Sequence, residues 1–221
     1  RPRPNLITVP MKRYPPELFS SEELQDAVEV AELVKFASIH PVDGTLCDPV
    51  FAPFVCTNRN QPAIFCAHLV RSNPLLEILS GGPLACRLVF QAADGYISPS
   101  VYAEKLKSAK VVPTWNYVAC QFYGVLEQVP DRELLDLLAH QVNVFEQSQD
   151  SNWKLEDAPA DYLKQMASAV FGIRFTSERC RAHKKISQNR PSDRSAIIAW
   201  TQTLHTPFKS LAHWMADSGD T

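Results

Sequence analysis

The chain has 221 residues, of which 45% are hydrophobic and 21% are charged, and its formal net charge is −2 at pH 7. This length is sufficient to bury a substantial core, so we expect one domain with helical additions. The balanced charge provides no basic tail or stripe for contacts with phosphates, so DNA is not an expected partner.

Cysteine spacing and hydropathy indicate the compartment. The six cysteines are scattered and include no C-x-x-C pair or Cys/His cluster, so we expect buried free thiols in a reducing environment and no metal site. The N-terminal residues lack an apolar signal core, and no stretch reaches membrane-spanning length. These patterns predict a soluble, cytoplasmic protein that makes no contact with a membrane.

The first half of the chain predicts two short helices and several adjacent strands. Ser20 and Glu23 have the spacing of a capping box, which predicts a helix to about Ala31. Asn73 begins the second short helix, and Gly81 ends it. Strand-like runs cover residues 33–39, 50–56 and 63–67. Such a meander is typical of the start of an antiparallel barrel.

The second half of the chain adds longer strands and then changes to helical spacing. The predicted strands cover residues 84–90, 111–126 and 170–176, and the predicted helices cover residues 131–147, 157–169 and 193–200. Gly124 indicates a bulge in the long strand. Ser192 or Asp193 is positioned to cap the last helix. Helices packed against such strands predict an α+β fold.

Three motifs at the ends of these elements mix aromatic, amide, hydroxyl and cationic side chains. They are Y-I-S-P-S-V-Y at 96–102, V-V-P-T-W-N-Y at 111–117 and K-K-I-S-Q-N-R at 184–190. Aromatic faces stack on a flat ring, amides pair with its polar edge, and cations meet a charged tail. We therefore expect a small-molecule site for a flat heteroaromatic ligand with a charged tail.

Together with H-L-V-R-S-N-P at 68–74, these motifs resemble the PaiB-type family, which is similar to the FMN-binding split barrels related to pyridoxamine phosphate oxidases. The resemblance runs from about Tyr14 to Trp200 in the same order. It implies an antiparallel split β-barrel with peripheral helices, FMN as the cofactor and a homodimer. The implied divisions are an N-terminal arm at 1–13, an FMN-binding split-barrel domain with added helices at 14–205, and a C-terminal tail at 206–221.

The resemblance also implies a cofactor site. Arg71 and Ser72 precede the predicted helix and offer forked donors and backbone N–H groups to the FMN phosphate. Asn116 can donate to and accept from the polar edge of the isoalloxazine ring. The candidate cofactor-binding residues are His68, Arg71, Ser72, Asn73, Ser98, Thr114, Trp115, Asn116, Lys185, Ser187, Gln188 and Asn189. No catalytic residue and no metal ligand is assigned.

Each of these motifs also has a purely structural interpretation. Trp115 can be a packed core residue, Arg71 a surface side chain, and residues 184–190 a solvated turn. Against this, the polar residues Thr114 and Asn116 lie inside an apolar strand and need partners, which favours a ligand or a second subunit. The sequence leaves both interpretations open.

The chain departs from the family pattern at two positions. Phe51 or Ala52 stands where a His is expected in the second strand, and Val101 stands where a Trp is expected after S-P-S. The leading hypothesis is an FMN-dependent oxidoreductase that acts on a small molecule. Because the departures leave open that FMN is absent, one alternative is an FMN-independent isomerase, cyclase or hydrolase that reuses the pocket. The other is a PaiB-like transcriptional regulator that senses a ligand.

Overall fold

A computed structural model describes residues 15–42, 48–204 and 212–216. The strands are β1 (Ser20–Ser21), β2 (Phe36–Pro41), β3 (Val50–Pro53), β4 (Val55–Asn58), β5 (Ile64–Val70), β6 (Leu84–Ile97), β7 (Thr114–Gln128) and β8 (Val170–Lys185). The α-helices are α1 (Leu24–Val34), α2 (Leu75–Ser80), α3 (Glu104–Lys107), α4 (Leu134–Gln147), α5 (Ala160–Ser168) and α6 (Arg194–Gln202). The predicted α+β fold is confirmed.

All eight strands belong to one antiparallel sheet. Along the sheet the order is β3-β2-β6-β7-β8-β5-β4, and β1 pairs with β8. Only Phe54 separates β3 from β4 in the chain, although these two strands are the opposite ends of that order. The sheet must therefore curl until its two ends lie side by side around the core.

Strand β7 shows why the sequence forms this sheet. Its burial alternates with a period of two, and Val118, Cys120 and Phe122 all point into the core. The rings of Phe65, Phe90 and Phe122 meet there, with centroids 4.7 to 6.1 Å apart. The interior is therefore an apolar core packed between the curled strands, and α1 contributes its buried face to it.

The bulge predicted at Gly124 is confirmed. The pairing of β7 with β8 shifts its register between Tyr123 and Gly124. A Cβ atom at Gly124 would lie 2.0 Å from the carbonyl oxygen of Thr176. Only glycine allows the backbones of the two longest strands to approach this closely.

Two helix caps predicted from the sequence are wrong. Ser20 lies in β1, and the backbone N–H of Glu23 donates to Ser21 Oγ at 3.1 Å, with no side chain capping α1. Asp193 precedes α6 but accepts instead from the backbone N–H of Ala103 at 3.0 Å. In both cases a residue that local spacing assigned to a helix cap makes a tertiary contact instead. Ser20 pairs with His183 of β8, and Asp193 binds Ala103.

Several strand boundaries also differ from the sequence prediction. The run at 50–56 is divided at Phe54, and the first two residues of the run at 33–39 belong to α1. Strands β6 and β8 extend well past the predicted ends, because their outer faces carry polar side chains that interrupt the apolar pattern. Period-two patterns identify a strand only where one face is consistently apolar.

Parts of the predicted terminal segments lie outside the described residues. These are the arm at 1–13 and the portions of the tail at 206–211 and 217–221. Residues 212–216 are helical, and Trp214 and Met215 are buried in the hydrophobic core. This segment of the tail therefore contributes to the packing of the domain.

Candidate functional site

The ends of β6, β7 and β8 bring several predicted site residues together. Thr114 lies opposite Ile97, and Tyr117 lies opposite Lys185. Lys185 Nζ donates to Thr114 Oγ1 and to the carbonyl oxygen of Trp115, both at 2.7 Å. An ammonium group has three N–H donors, so among the described residues one is left for a further acceptor. Burial lowers the pKa of Lys185, because little solvent stabilises its charge.

Two aromatic side chains form an exposed surface at this end of the sheet. Trp115 is 53% exposed and Tyr96 is 43% exposed, and their rings meet edge to face at 6.4 Å. Trp115 Nε1 donates to Asp94 Oδ1 at 3.0 Å, which fixes the indole. The interpretation of Trp115 as a packed core residue is therefore wrong. The strand end presents an exposed aromatic surface on the residue whose backbone carbonyl binds Lys185.

Asn116 lies on the opposite face of β7 from Trp115. It is fully buried, and its Nδ2 donates to Ser187 Oγ at 2.8 Å and lies 4.0 Å from Met215 Sδ. Its Oδ1 is also buried and has no hydrogen-bond partner in the described part of the chain. Successive strand residues point to opposite faces, so Trp115 and Asn116 cannot line one outer surface. Contact between Asn116 and a cofactor stays a prediction.

The loop after β8 uses most of its polar groups internally. Ser187 is buried and has a left-handed backbone with φ of 63°. Gln188 Oε1 accepts from the backbone N–H of Ile186 at 2.8 Å, and Gln188 Nε2 donates to the carbonyl oxygen of Leu18 at 3.2 Å. Asn189 is exposed. The many polar side chains that indicated a ligand here therefore mostly make contacts that hold the loop in place.

Ser98 and the two departures from the family pattern lie at separate places. Ser98 Oγ accepts from the backbone N–H of Ser100 at 3.2 Å and caps a single 3₁₀ turn. Val101 is half-buried against the core. Ala52 is buried, whereas Phe51 is 57% exposed and stacks on Phe36 with ring centroids 6.0 Å apart. Phe51 therefore belongs to the outer face of the sheet.

The turn from β5 into α2 holds the predicted phosphate-binding residues. Arg71 Nε donates to the carbonyl oxygen of Ser168 at 3.0 Å, and Arg71 Nη2 donates to Asp131 Oδ1 at 2.9 Å. Its Nη1 donors remain uncommitted among the described residues. Ser72 is exposed, and Asn73 Oδ1 accepts from the backbone N–H of Leu75 at 3.0 Å. These contacts order the turn, and among the described residues the Nη1 donors of Arg71 remain available to a ligand.

Sequence reasoning missed Gln141, whose side chain determines which ring nitrogen of His68 donates a hydrogen bond. Gln141 Nε2 donates to the carbonyl oxygen of Pro53 at 3.1 Å, so its Oε1 accepts from Nδ1 of His68 at 2.7 Å. In the neutral His68 ring this leaves Nε2 as an acceptor. The signal available in the sequence was an amide side chain seven residues after Leu134, at a position on the otherwise apolar stripe of α4.

The two halves of the predicted site do not meet within one chain. His68 lies opposite Gly172, near the start of β8, and Lys185 ends that strand 13 residues later. That length corresponds to roughly 40 Å of strand at about 3.3 Å per residue. The strand therefore separates the two groups of candidate residues by far more than one ring and its phosphate tail.

Comparison with known proteins decides the family. Residues 13–179 match the family described as "Putative FMN-binding domain". The chain belongs to this PaiB-type FMN-binding family. Protease synthase and sporulation protein PAI 2 of Bacillus subtilis is 30% identical over 132 residues, which is 59% of this chain and 61% of that protein. An uncharacterized protein of Emericella nidulans is 30% identical over 138 residues, covering 57% of this chain and 55% of its own.

Solved structures share the fold of this PaiB-type chain. The FAD and heme binding protein of Mycobacterium smegmatis has a TM-score of 0.52 at 13% identity, covering 80% of this chain and 79% of its own. The flavocytochrome Anf3 of Azotobacter vinelandii has a TM-score of 0.55 at 11% identity, covering 83% and 77%. The chain spans slightly more than half the length of the first curated relatives it matches.

Two further kinds of feature are absent from the described part of this PaiB-type chain. No described helix has the length and apolar character needed to cross a bilayer. Within the same residues, no three His, Cys, Asp or Glu side chains group in a way that would hold a metal ion.

Proposed function

We propose that the chain binds FMN and is a flavin-dependent oxidoreductase that acts on a small molecule. The observation that carries this proposal is Lys185, which binds the backbone carbonyl of the half-exposed Trp115 and keeps a donor unused among the described residues. A flat ring with an electron-rich edge fits an aromatic surface next to a cation. When bound, FMN supplies hydride or electron transfer, and the protein supplies orientation and electrostatics.

Each end of the site has a distinct role in this proposal. Trp115 and Tyr96 flank the ring, and Lys185 donates to its pyrimidine edge, where negative charge is favoured by a nearby cation. Arg71 offers Nη1 to the phosphate, and exposed Ser72 adds a hydroxyl donor. His68 offers Nε2 as an acceptor, because Gln141 occupies its other nitrogen.

We further propose that a homodimer with the split-barrel arrangement assembles this site. The length of β8 between the part that pairs with β5 next to Arg71 and Lys185 supports this proposal, in which a second copy supplies one end of the pocket. The outer face of the sheet also exposes Phe36, Phe51 and Trp115, with 53% to 57% of each residue accessible. Burial of such aromatics against a second copy is favourable, and a two-fold arrangement produces two equivalent sites.

Replacement of Lys185 by methionine should weaken FMN binding by about tenfold, or about 1.4 kcal/mol, because a charge-assisted hydrogen bond is lost. Flavin fluorescence titration measures the affinity, and bound flavin is expected to absorb near about 450 nm. Lys164→Met, at an exposed position of α5, is the matched control and should not change the affinity. Equal affinities in the two variants would remove Lys185 from the site.

Mixing two variants that each bind FMN weakly tests the interface site directly. In a mixed dimer of Arg71→Ala and Lys185→Met chains, one site receives both changes and the other receives neither. About half of the sites in mixed dimers should therefore recover wild-type FMN affinity. Co-expression with two different affinity tags isolates the mixed dimers for titration. Absence of any tight site in them would place both residues in one chain's pocket and contradict the dimer proposal.

The flavin titration also separates the alternative functions. Two solved structures with a similar fold are named as an FAD and heme binding protein and as a flavocytochrome. These names support the flavin proposal. Stoichiometric FMN that is reduced and reoxidised during turnover is the expected result. A protein that binds no FMN at micromolar concentration would instead favour the FMN-independent enzyme or the ligand-sensing regulator.

A further inference from the structure

The outer face of β6, β7 and β8 carries a cluster of arginines. Arg87 lies opposite Tyr123, and Tyr123 lies opposite Arg179, so these side chains form one row across the sheet. In the neighbouring row Gln121 lies opposite Arg181. Directly opposed residues have Cβ atoms about 5 Å apart. Three guanidinium groups therefore share a small area of one face.

These three arginines have no acidic partner in the part of the chain that the structure describes. Arg181 Nη2 donates to Ser20 Oγ at 3.4 Å, a contact with a neutral hydroxyl. Other arginines of the chain do form ion pairs with carboxylates, and these are Arg59, Arg71, Arg132, Arg174 and Arg190. Clustered guanidinium groups that form no direct ion pair attract an anion.

Buried donors without acceptors lie in the same cluster. Nε of Arg87, Nε of Arg181 and Nδ1 of His183 are enclosed and have no hydrogen-bond partner within residues 15–42, 48–204 and 212–216. The amide nitrogen of Gln121 lies 3.3 Å from His183 Nε2, so Nε2 accepts and the proton of the neutral ring lies on Nδ1. Burial, and then Arg181, lower the pKa of His183, which keeps the ring neutral. Buried unpaired donors are destabilising and call for an acceptor.

A groove of about 490 Å³ opens beside Arg181, the one of these donor residues that lines it. Gln121, Tyr123, Arg179 and Arg181 form part of its lining. The guanidinium carbon of Arg179 lies 3.7 Å from the centre of the Tyr123 ring, and that of Arg87 lies 5.9 Å away. These cation–π contacts fix the ring between two cations. The volume is typical of a site for a small molecule.

We propose that this groove binds a small organic phosphate, with the phosphate against Arg179 and Arg181 and an apolar or aromatic portion against Tyr123. A phosphate monoester carries nearly two negative charges and three terminal oxygens, so it can accept from several separate donors at once. Glu22 and Glu178 also line the groove, which confines the anion to the arginine side. This site is independent of the proposed FMN site, because it uses other residues.

Calorimetric titration with phenyl phosphate and with inorganic phosphate, at fixed ionic strength, tests this proposal. The Arg71→Ala chain is used so that the proposed FMN phosphate site does not contribute. Phenyl phosphate should bind more tightly than inorganic phosphate, because only its ring reaches Tyr123. Arg181→Met and Arg179→Ala should each weaken phenyl phosphate binding by about tenfold. Arg132→Ala, at a side chain 81% exposed, should leave it unchanged.

Each contrary outcome overturns the proposal in a different way. Equal weakening by Arg132→Ala would show that diffuse charge holds the phosphate. Unchanged affinity in Arg179→Ala would show that the arginine cluster does not bind the phosphate. Arg179 is exposed, so its replacement leaves the core intact. Equal affinity for the two probes would indicate a site for free phosphate. Dissociation of a dimer by Arg181→Met, with phosphate affinity unchanged, would assign the arginines to carboxylates of a second copy.

Discussion

Replacing Gly124 with alanine is expected to lower the free energy of unfolding by about 3 kcal/mol. The added Cβ would lie 2.0 Å from the carbonyl oxygen of Thr176 and 3.0 Å from Cα of Ser177. Both contacts are with backbone, so the new atom is accommodated only if β7 and β8 separate at the bulge. Strands β7 and β8 occupy the middle of the sheet, so their separation also disturbs the core.

Thermal unfolding followed by circular dichroism measures this effect. For a chain of this size, a loss of about 3 kcal/mol lowers Tm by roughly 10 °C. Gly81→Ala is the matched control, because its added Cβ would meet only the carbonyl oxygen of Ile78, at 3.3 Å, at the end of α2. The control should change stability by less than about 1 kcal/mol. Similar melting of the two variants would show that the approach at the bulge is not tight.

Replacing Arg71 with alanine should weaken FMN binding by about 2 to 3 kcal/mol, or about 30- to 150-fold, while riboflavin binding stays nearly unchanged. The two ligands differ only in the phosphate, which is the group that the free Nη1 of Arg71 is proposed to meet. Titration of both flavins by fluorescence quenching gives the comparison. Equal losses for both would mean that Arg71 acts through the fold.

The contacts of Arg71 supply the control for this experiment. Its Nη2 donates to Asp131 and its Nε donates to the carbonyl oxygen of Ser168. Asp131→Asn removes the ion pair and keeps the guanidinium. The Arg71–Asp131 pair is exposed and contributes little to stability, so this variant should bind FMN within about twofold of the wild type. A large loss in Asp131→Asn would show that orientation by the carboxylate is essential.

The candidate site was only partly predictable from sequence. Lys185, Thr114 and Trp115 come together as expected, since the strand ends that carry them are adjacent in the sheet. The sequence prediction assigned Asn116 to the same ligand as Trp115. Alternation along β7, however, directs the two side chains to opposite faces of the sheet. Gln141 was missed altogether, because an amide on an apolar stripe becomes meaningful only when its partner is known.

The sequence by itself determined the α+β class, the bulge at Gly124 and the helical stripe that begins at Leu134. These features depend on local periodicity and on the conformational freedom of single residues, which neighbours in the chain already fix. The family resemblance rests on motifs that are also local, such as residues 68–74.

Only the tertiary structure decided which polar groups are already paired and which remain available. Sequence spacing does not reveal that Gln188 binds the carbonyl oxygen of Leu18 or that Asn116 contacts Met215. It also does not reveal that the turn of Arg71 lies far along β8 from Lys185. These facts depend on strand register and on contacts between residues distant in the chain. A shift of register by one residue exchanges the two faces of a strand, so the placement of every donor on β7 and β8 is set by the pairing of the whole sheet.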